Sequence, residues 1–218
     1  KKILLLLLCS PLFVVGQINV GNNQTICLND TAEVIALLQG GSQGAGMDTV
    51  IAGLHASNYT STMTRGWYFQ AQTSFNIQGV AASDDNTPGT GAYQSIEIVD
   101  FGTTVPATYP TASAGHTSLY YGSGPLGWAP CAVSVVAGNY YGILGGKHAL
   151  PGGASQTIYN SYGPSGQQSV VLDGNSTDIF RLILQSSIAV GPAAQGAYMD
   201  NGTASIGRVY IRTGVPGA

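Results

Sequence analysis

The chain has 218 residues, of which 44% are hydrophobic and only 8% charged, against about a quarter charged in an average globular domain. Seven Lys and Arg against ten Asp and Glu give a net charge of −3, which leaves no basic patch for nucleic acid to bind. Thirty-one glycines, ten prolines and abundant Ser, Thr, Asn and Gln make a surface of hydroxyls and amides, as in exported β-proteins, and the length fits one main domain.

Lys1 and Lys2 precede an apolar run over residues 3–8 and a stretch ending in Gly16, the pattern of a secretory leader cut before Gln17. The run is far short of the ~20 apolar residues that cross a bilayer. Cys9 as a lipid-modified cysteine is the competing reading, weakened by the bulky Leu7 and Leu8 before it. Removal of the leader leaves five basic and ten acidic residues, a net charge of −5, and two cysteines, Cys27 and Cys131. An even count in an exported chain admits a disulfide across about a hundred residues, worth ~3–5 kcal/mol in the chain-entropy account. Two small buried thiols are the alternative.

Residues 17–46 form an N-terminal segment that ends in a Gly-rich linker, Gly40-Gly41-Ser42-Gln43-Gly44-Ala45-Gly46. Residues 47–54 are a β-type run. The central feature is residues 64–80: an aromatic strand with Trp67, Tyr68 and Phe69, then Gln72-Thr73 as a tight hairpin or corner, then an alternating strand with Phe75 and Ile77. Residues 82–91 are a loop. Residues 93–101 alternate cleanly, with Ile96 and Ile98 on one face and Glu97 directed to solvent on the other. Residues 103–115, rich in Pro, Thr and Ala, form a long excursion. Further strands are expected over 117–121, 129–137, 139–145, 156–160, 169–172, 179–185 and 204–212, with a hairpin or sharp corner at Gly138.

About a dozen short β-runs, abundant turn residues and no sustained 3.6-residue period indicate an all-β fold. The expected architecture is an antiparallel two-sheet β-sandwich, jelly-roll-like, over residues 47–213. A tail over 214–218 is expected to be cut short.

The ordered pieces over residues 64–80, 94–101 (QSIEIVDF), 117–121 (TSLYY), 137–145 and 205–211 (SIGRVYI) resemble a domain recurring in secreted surface proteins of Bacteroidetes. The stretch Gln24-Thr25-Ile26-Cys27-Leu28-Asn29-Asp30 is similar to the start of polycystic-kidney-disease-like or immunoglobulin-like repeats. The resemblance implies a cell-surface β-sandwich with no catalytic residues to carry over. It also implies a C-terminal sorting domain for type IX secretion, which is not found before Ala218. Asp30-Thr31-Ala32 and Asp48-Thr49-Val50 are similar to O-glycosylation sites of such proteins.

Chemistry-bearing residues are sparse. The one G-x-S-x-G match, Gly40 to Gly44, falls in the Gly-rich linker rather than at a strand-to-helix elbow, and the three histidines, His55, His116 and His148, show no zinc spacing and are expected on the surface or in loops. Glu97 with Asp100 is the sole candidate carboxylate pair for glycoside hydrolysis. Calcium is the one candidate cofactor, through Asp84 and Asp85 in one loop and Asp173, Asn175 and Asp178 in another; simple turns explain the same residues. Adjacent aromatics in a strand point to opposite faces, so one of each pair is expected outside, where it can stack on a sugar or dock a partner. Trp128, Tyr68, Tyr121 and Tyr141 are the candidate ligand-binding residues, with Trp128 foremost; a plug closing one end of the sandwich is the alternative reading of Trp128.

These features lead to the expectation of a secreted, non-catalytic surface or adhesion module with an extracellular glycan or surface protein as partner. The alternative is a self-associating subunit of an extracellular layer or filament. A polysaccharide-active or proteolytic enzyme is the third reading.

Overall fold

A computed structural model describes residues 48–85, 91–151, 157–192 and 197–214. The leader, the N-terminal segment, Cys27 and the end of the tail lie outside the described residues, as does the pairing of Cys27 with Cys131. The described chain runs through β1 (Asp48–Val50), β2 (Ser57–Ser61), β3 (Thr64–Gln70), β4 (Phe75–Ala82) and β5 (Tyr93–Asp100). It continues with β6 (Thr117–Pro125), β7 (Ala129–Val135), β8 (Tyr140–His148), β9 (Ile158–Tyr162) and β10 (Gln168–Leu172). It closes with β11 (Asn175–Leu184), a 3-10 turn (Ile188–Val190), β12 (Tyr198–Asp200) and β13 (Val209–Gly214). No helix of the described residues is long and apolar enough to cross a membrane.

The strands form an antiparallel β-sandwich. The small sheet has the order β1-β13-β4-β7 and the large one β10-β11-β3-β8-β5-β6, with β12 added to β11, and β9 bridging β8 and β2. The two tight links in the sequence are corners rather than hairpins. β3 pairs with β8 and β11 while β4 pairs with β13 and β7, so Gln72-Thr73 carries the chain from one sheet to the other. Gly138, at φ 90°, does the same between β7 and β8. Ala71 and residues 138–139 lock the corners together through Ala71 N–H to Asn139 O at 2.9 Å and Gly138 N–H to Ala71 O at 2.8 Å. β10 and β11 form a true hairpin, with Asp173 (φ 48°) and Gly174 (φ 76°) as its two turn residues. That Asp-Gly pair has the positive φ values a primed turn requires.

The core between the sheets is the one the alternation predicts. Trp67, Phe69, Ile96, Ile98, Tyr141 and Ile143 of the large sheet meet Phe75, Ile77, Val80, Val133, Val209 and Ile211 of the small one, all buried. The indole Nε1 of Trp67 donates to Val209 O at 2.9 Å, a cross-sheet bond that satisfies its one donor.

The outer face of the large sheet departs from expectation. It carries a second buried cluster, in which Tyr68, Val99, Leu144, Leu182 and Leu184 lie under Phe101, Ile188, Ala189 and Tyr198. The excursion between β5 and β6 folds back and binds β12 through Tyr109 N–H to Asp200 O and Ser113 N–H to Tyr198 O. The polar side of the alternation is therefore a second interior, roofed by segments without strand periodicity. Glu97 is fully buried there, which corrects the solvent-facing expectation. His148 is also fully buried, on Ser95 Oγ at 2.9 Å from Nε2, so it is no surface histidine.

Candidate functional site

β6 and β7 are the free edges of the two sheets on one side of the sandwich. Residues 126–128 carry the chain between them, and where the edges diverge they leave a cleft of about 480 Å³. Gln94 fixes that corner from beneath. Its Oε1 accepts from Ala82 N–H at 2.8 Å and its Nε2 donates to the Gly127 carbonyl, so one buried amide ties the end of β4 to the connecting loop. Ile96, Tyr120, Leu126 and Trp128 supply the apolar lining, and Gly122, Ser123 and Gly124 line it along β6. A side chain at Gly122 would run into the Tyr120 ring, its Cβ lying 2.2 Å from the hydroxyl, so the glycine is what lets the phenol lie along the strand.

Trp128 is 37% exposed, whereas the only other tryptophan, Trp67, is fully buried. The Arg212 guanidinium lies 4.0 Å from the centre of the Trp128 ring. It reaches there from β13 across Gly79, where a Cβ would touch the arginine stem at 3.5 Å. A cation over an indole is attracted to the negative ring face, so Arg212 holds Trp128 in place. Among the residues lining the cleft none is Asp, Glu, His, Lys or Arg. Burial pushes the Tyr120 hydroxyl up from its ordinary value, and the Cys131 thiol beside it rises to about 11. Cys131 is half-buried, its thiol 3.5 Å from the Ile77 carbonyl. Such a lining offers a ligand stacking and shape rather than charge.

Of the four expected ligand-binding aromatics, the structure brings only Trp128 to this cleft. Tyr68 and Tyr141 are core residues, which corrects their assignment as stacking faces. Tyr68 sits in the outer cluster, and Tyr141 lies between the sheets, its hydroxyl accepting from Val136 N–H at 2.8 Å. Tyr121 is half-buried beneath the roof and donates to Ile188 O at 3.0 Å. The inward-facing neighbour, Tyr120, is the one that lines the cleft. Gln94 and Arg212 carry no sequence signal, because both act across strands far apart in the chain.

The acidic loops are partnered from within the protein. Asp84 pairs with Lys147 at 3.0 Å. Asp85 meets Arg208 and lies 3.5 Å from His55 Nδ1, with Ser161 Oγ donating to it at 2.7 Å. His55 faces both Ser161 and Asp85 through the same ring nitrogen, Nδ1, so the three do not form a nucleophile-base-acid relay. Asp173 accepts from Thr73 Oγ1 at 2.9 Å, Asn175 donates to Asp173 O, and Asp178 accepts from Gln167. Among the described residues no three His, Cys, Asp or Glu side chains converge as metal ligands. Asp100 accepts from Gly102 N–H at 2.6 Å at the end of β5, while Glu97, three residues earlier, projects to the opposite face. Those two carboxyls do not flank a common space.

The chain matches no known protein family, no curated protein and no solved structure.

Proposed function

We propose that this chain is an exported, non-catalytic surface module that holds a sugar ring in the Trp128 cleft. The observation that carries the reading is the pairing of an uncharged cleft of about 480 Å³ with the only exposed indole of the described chain. Small-molecule sites fall in the range of about 300–1,000 Å³ and combine apolar walls with a few polar groups. A pyranose has an apolar face that stacks on an aromatic ring and hydroxyls that bond at its rim. Here the Trp128 and Tyr120 rings offer the first, and the backbone of the glycine-rich β6 edge offers the second. Composition, the leader-like start and the resemblance to secreted surface domains support export. The filament reading needs free edges that accept another strand, and Pro125 and Pro130 each remove a donor from the two edges beside the cleft.

Glycan-array screening of the wild type, Trp128→Ala and Arg212→Gln tests the proposal. The wild type should bind a subset of oligosaccharides and shift the emission of its exposed tryptophan. Trp128→Ala should weaken binding at least about tenfold, equivalent to about 1.4 kcal/mol. Arg212→Gln should weaken it less, because it loosens the indole without removing it. Undiminished glycan binding by Trp128→Ala overturns the site.

A further inference from the structure

A second cluster lies toward the opposite edge of the large sheet, with β3, β8 and β5 between its strand β11 and the cleft edge β6. Arg65 of β3 and Arg181 of β11 converge on one phenol. The Tyr162 hydroxyl accepts from Arg65 Nε at 3.2 Å and from Arg181 Nη2 at 2.6 Å. Tyr59 and Tyr162 stack with centroids 5.6 Å apart, and each ring carries a guanidinium 4.8 Å from its centre, Arg65 over Tyr59 and Arg181 over Tyr162.

Two guanidiniums thus share a neutral acceptor, with no carboxylate of the described residues at ion-pair distance. Among the described residues the ion pairs use only Asp84 and Asp85, and these are taken by Lys147, Arg208 and His55. Arg65 is 5% exposed and its remaining donors are met by the Thr64 and Leu184 carbonyls, the Tyr59 hydroxyl and the Met63 sulfur. Arg181 differs. It is half-buried, its one side-chain hydrogen bond goes to Tyr162, and its Nε is buried with no acceptor. Burial and the adjacent Arg65 charge both weigh against its charged form. A buried cation without a counter-charge is costly, and a guanidinium fork fits a planar or tetrahedral oxyanion through paired N–H donors.

We propose that Arg181, with the fixed charge of Arg65 behind it, is a receptor for a single oxyanion, the carboxylate or sulfate of an acidic saccharide. The site is independent of the Trp128 cleft. The chain's four arginines give four Nε–Hε signals in a nitrogen-15 NMR spectrum, so the unmodified protein can be titrated directly. Sodium sulfate and sodium acetate are compared with sodium chloride at equal ionic strength, then a sulfated and a uronate oligosaccharide with a neutral one.

The expected result is a saturable shift of the Arg181 Nε–Hε signal with the oxyanions and not with chloride. The acidic oligosaccharides should bind at least tenfold more tightly than the neutral one at this site. The calorimetric affinity for the acidic oligosaccharides should be lost in Arg181→Gln and partly retained in Arg181→Lys, and Trp128→Ala should leave both that affinity and the Arg181 signal shift intact. Response to the free ions with no gain for the saccharides makes the site a receptor for inorganic anions and overturns the saccharide assignment. An Arg181 signal that moves no more with oxyanions than with chloride overturns the site itself, whatever the variants do. Loss of the shift in Trp128→Ala overturns its independence from the cleft.

Discussion

Glu97 shows how a single position can obey the strand period and still defeat its usual meaning. It points away from Ile96 and Ile98, as alternation requires, but into a roofed interior rather than water. The Tyr198 hydroxyl donates to its Oε2 at 2.7 Å, and Oε1 has no partner. Burial raises its pKa above the ordinary carboxylate value, and the hydroxyls of Tyr198 and Ser118 oppose that rise without cancelling it. The folded state therefore keeps the proton over a window in which the unfolded chain has lost it. The stability this contributes is complete below the ordinary value near 4.5 and is lost as pH rises through the folded one. Glu97→Gln, which keeps the shape and cannot ionise, should raise the melting temperature at pH 8 relative to pH 4 when compared with the wild type. Parallel pH profiles for the two proteins would sink that account. Tyr198→Phe removes the hydrogen bond to Oε2 and should cost about 1–3 kcal/mol. Cys131 gives a second check. With its thiol at about 11 rather than 9.0, reduced protein at pH 8 holds about a hundredfold less thiolate there than an ordinary cysteine. Its alkylation, followed on the Cys131 peptide by mass spectrometry, should be slow and should accelerate with pH well beyond 9.

Among the elements, those with strict alternation are legible in the amino-acid order alone. The strands within residues 64–80 and 93–101 fall within a residue or two of their expected bounds, and Phe75 and Ile77 are buried as alternation demands. β2 and β12 give no such signal. Ser57–Ser61 is a polar strand paired only with β9, and Tyr198–Asp200 is only three residues long. The roof is illegible for a related reason: an excursion of Pro, Thr and Ala shows no period, and what it covers is fixed by contacts with residues about a hundred positions away. For the cleft, Trp128 stands out because a Gly- and Pro-rich loop exposes what it carries, whereas Arg212 depends on crossing Gly79. Close strand approach also leaves a glycine signal that alternation does not explain. A Cβ on Gly66 would lie 1.9 Å from the Ile143 carbonyl, in backbone that cannot rotate away. Gly66→Ala should therefore cost about 1–3 kcal/mol or more by overpacking. At ~2–4 °C per kcal/mol for a domain of this size, that is a visible drop in thermal unfolding. An unchanged melting temperature would mean that β3 and β8 are not so closely apposed.

At the scale of the whole molecule, the large sheet is buried on both faces by unequal means. Its inner face meets a hydrogen-bonded sheet, while its outer face is covered by β12, a 3-10 turn and a loop, with only three residue pairs joining β12 to β11. Local opening draws on segments with few ladder bonds, so the roof should open at lower free energy than the central strands. Native-state hydrogen exchange separates the two. The amides of Tyr109, Ser113 and Asp200, bonded within the roof, should exchange by a sub-global opening. Those of Trp67, Ile98 and Ile143 in β3, β5 and β8 should exchange only with global unfolding. Glu97 lies beneath this roof and loses its proton more readily once uncovered. Raising the pH from 4 toward 8 should then lower the opening free energy of the roof amides, and Glu97→Gln should abolish that difference. Roof and core amides that merge into one exchange class at every pH and denaturant concentration would show that the two layers open as a single unit.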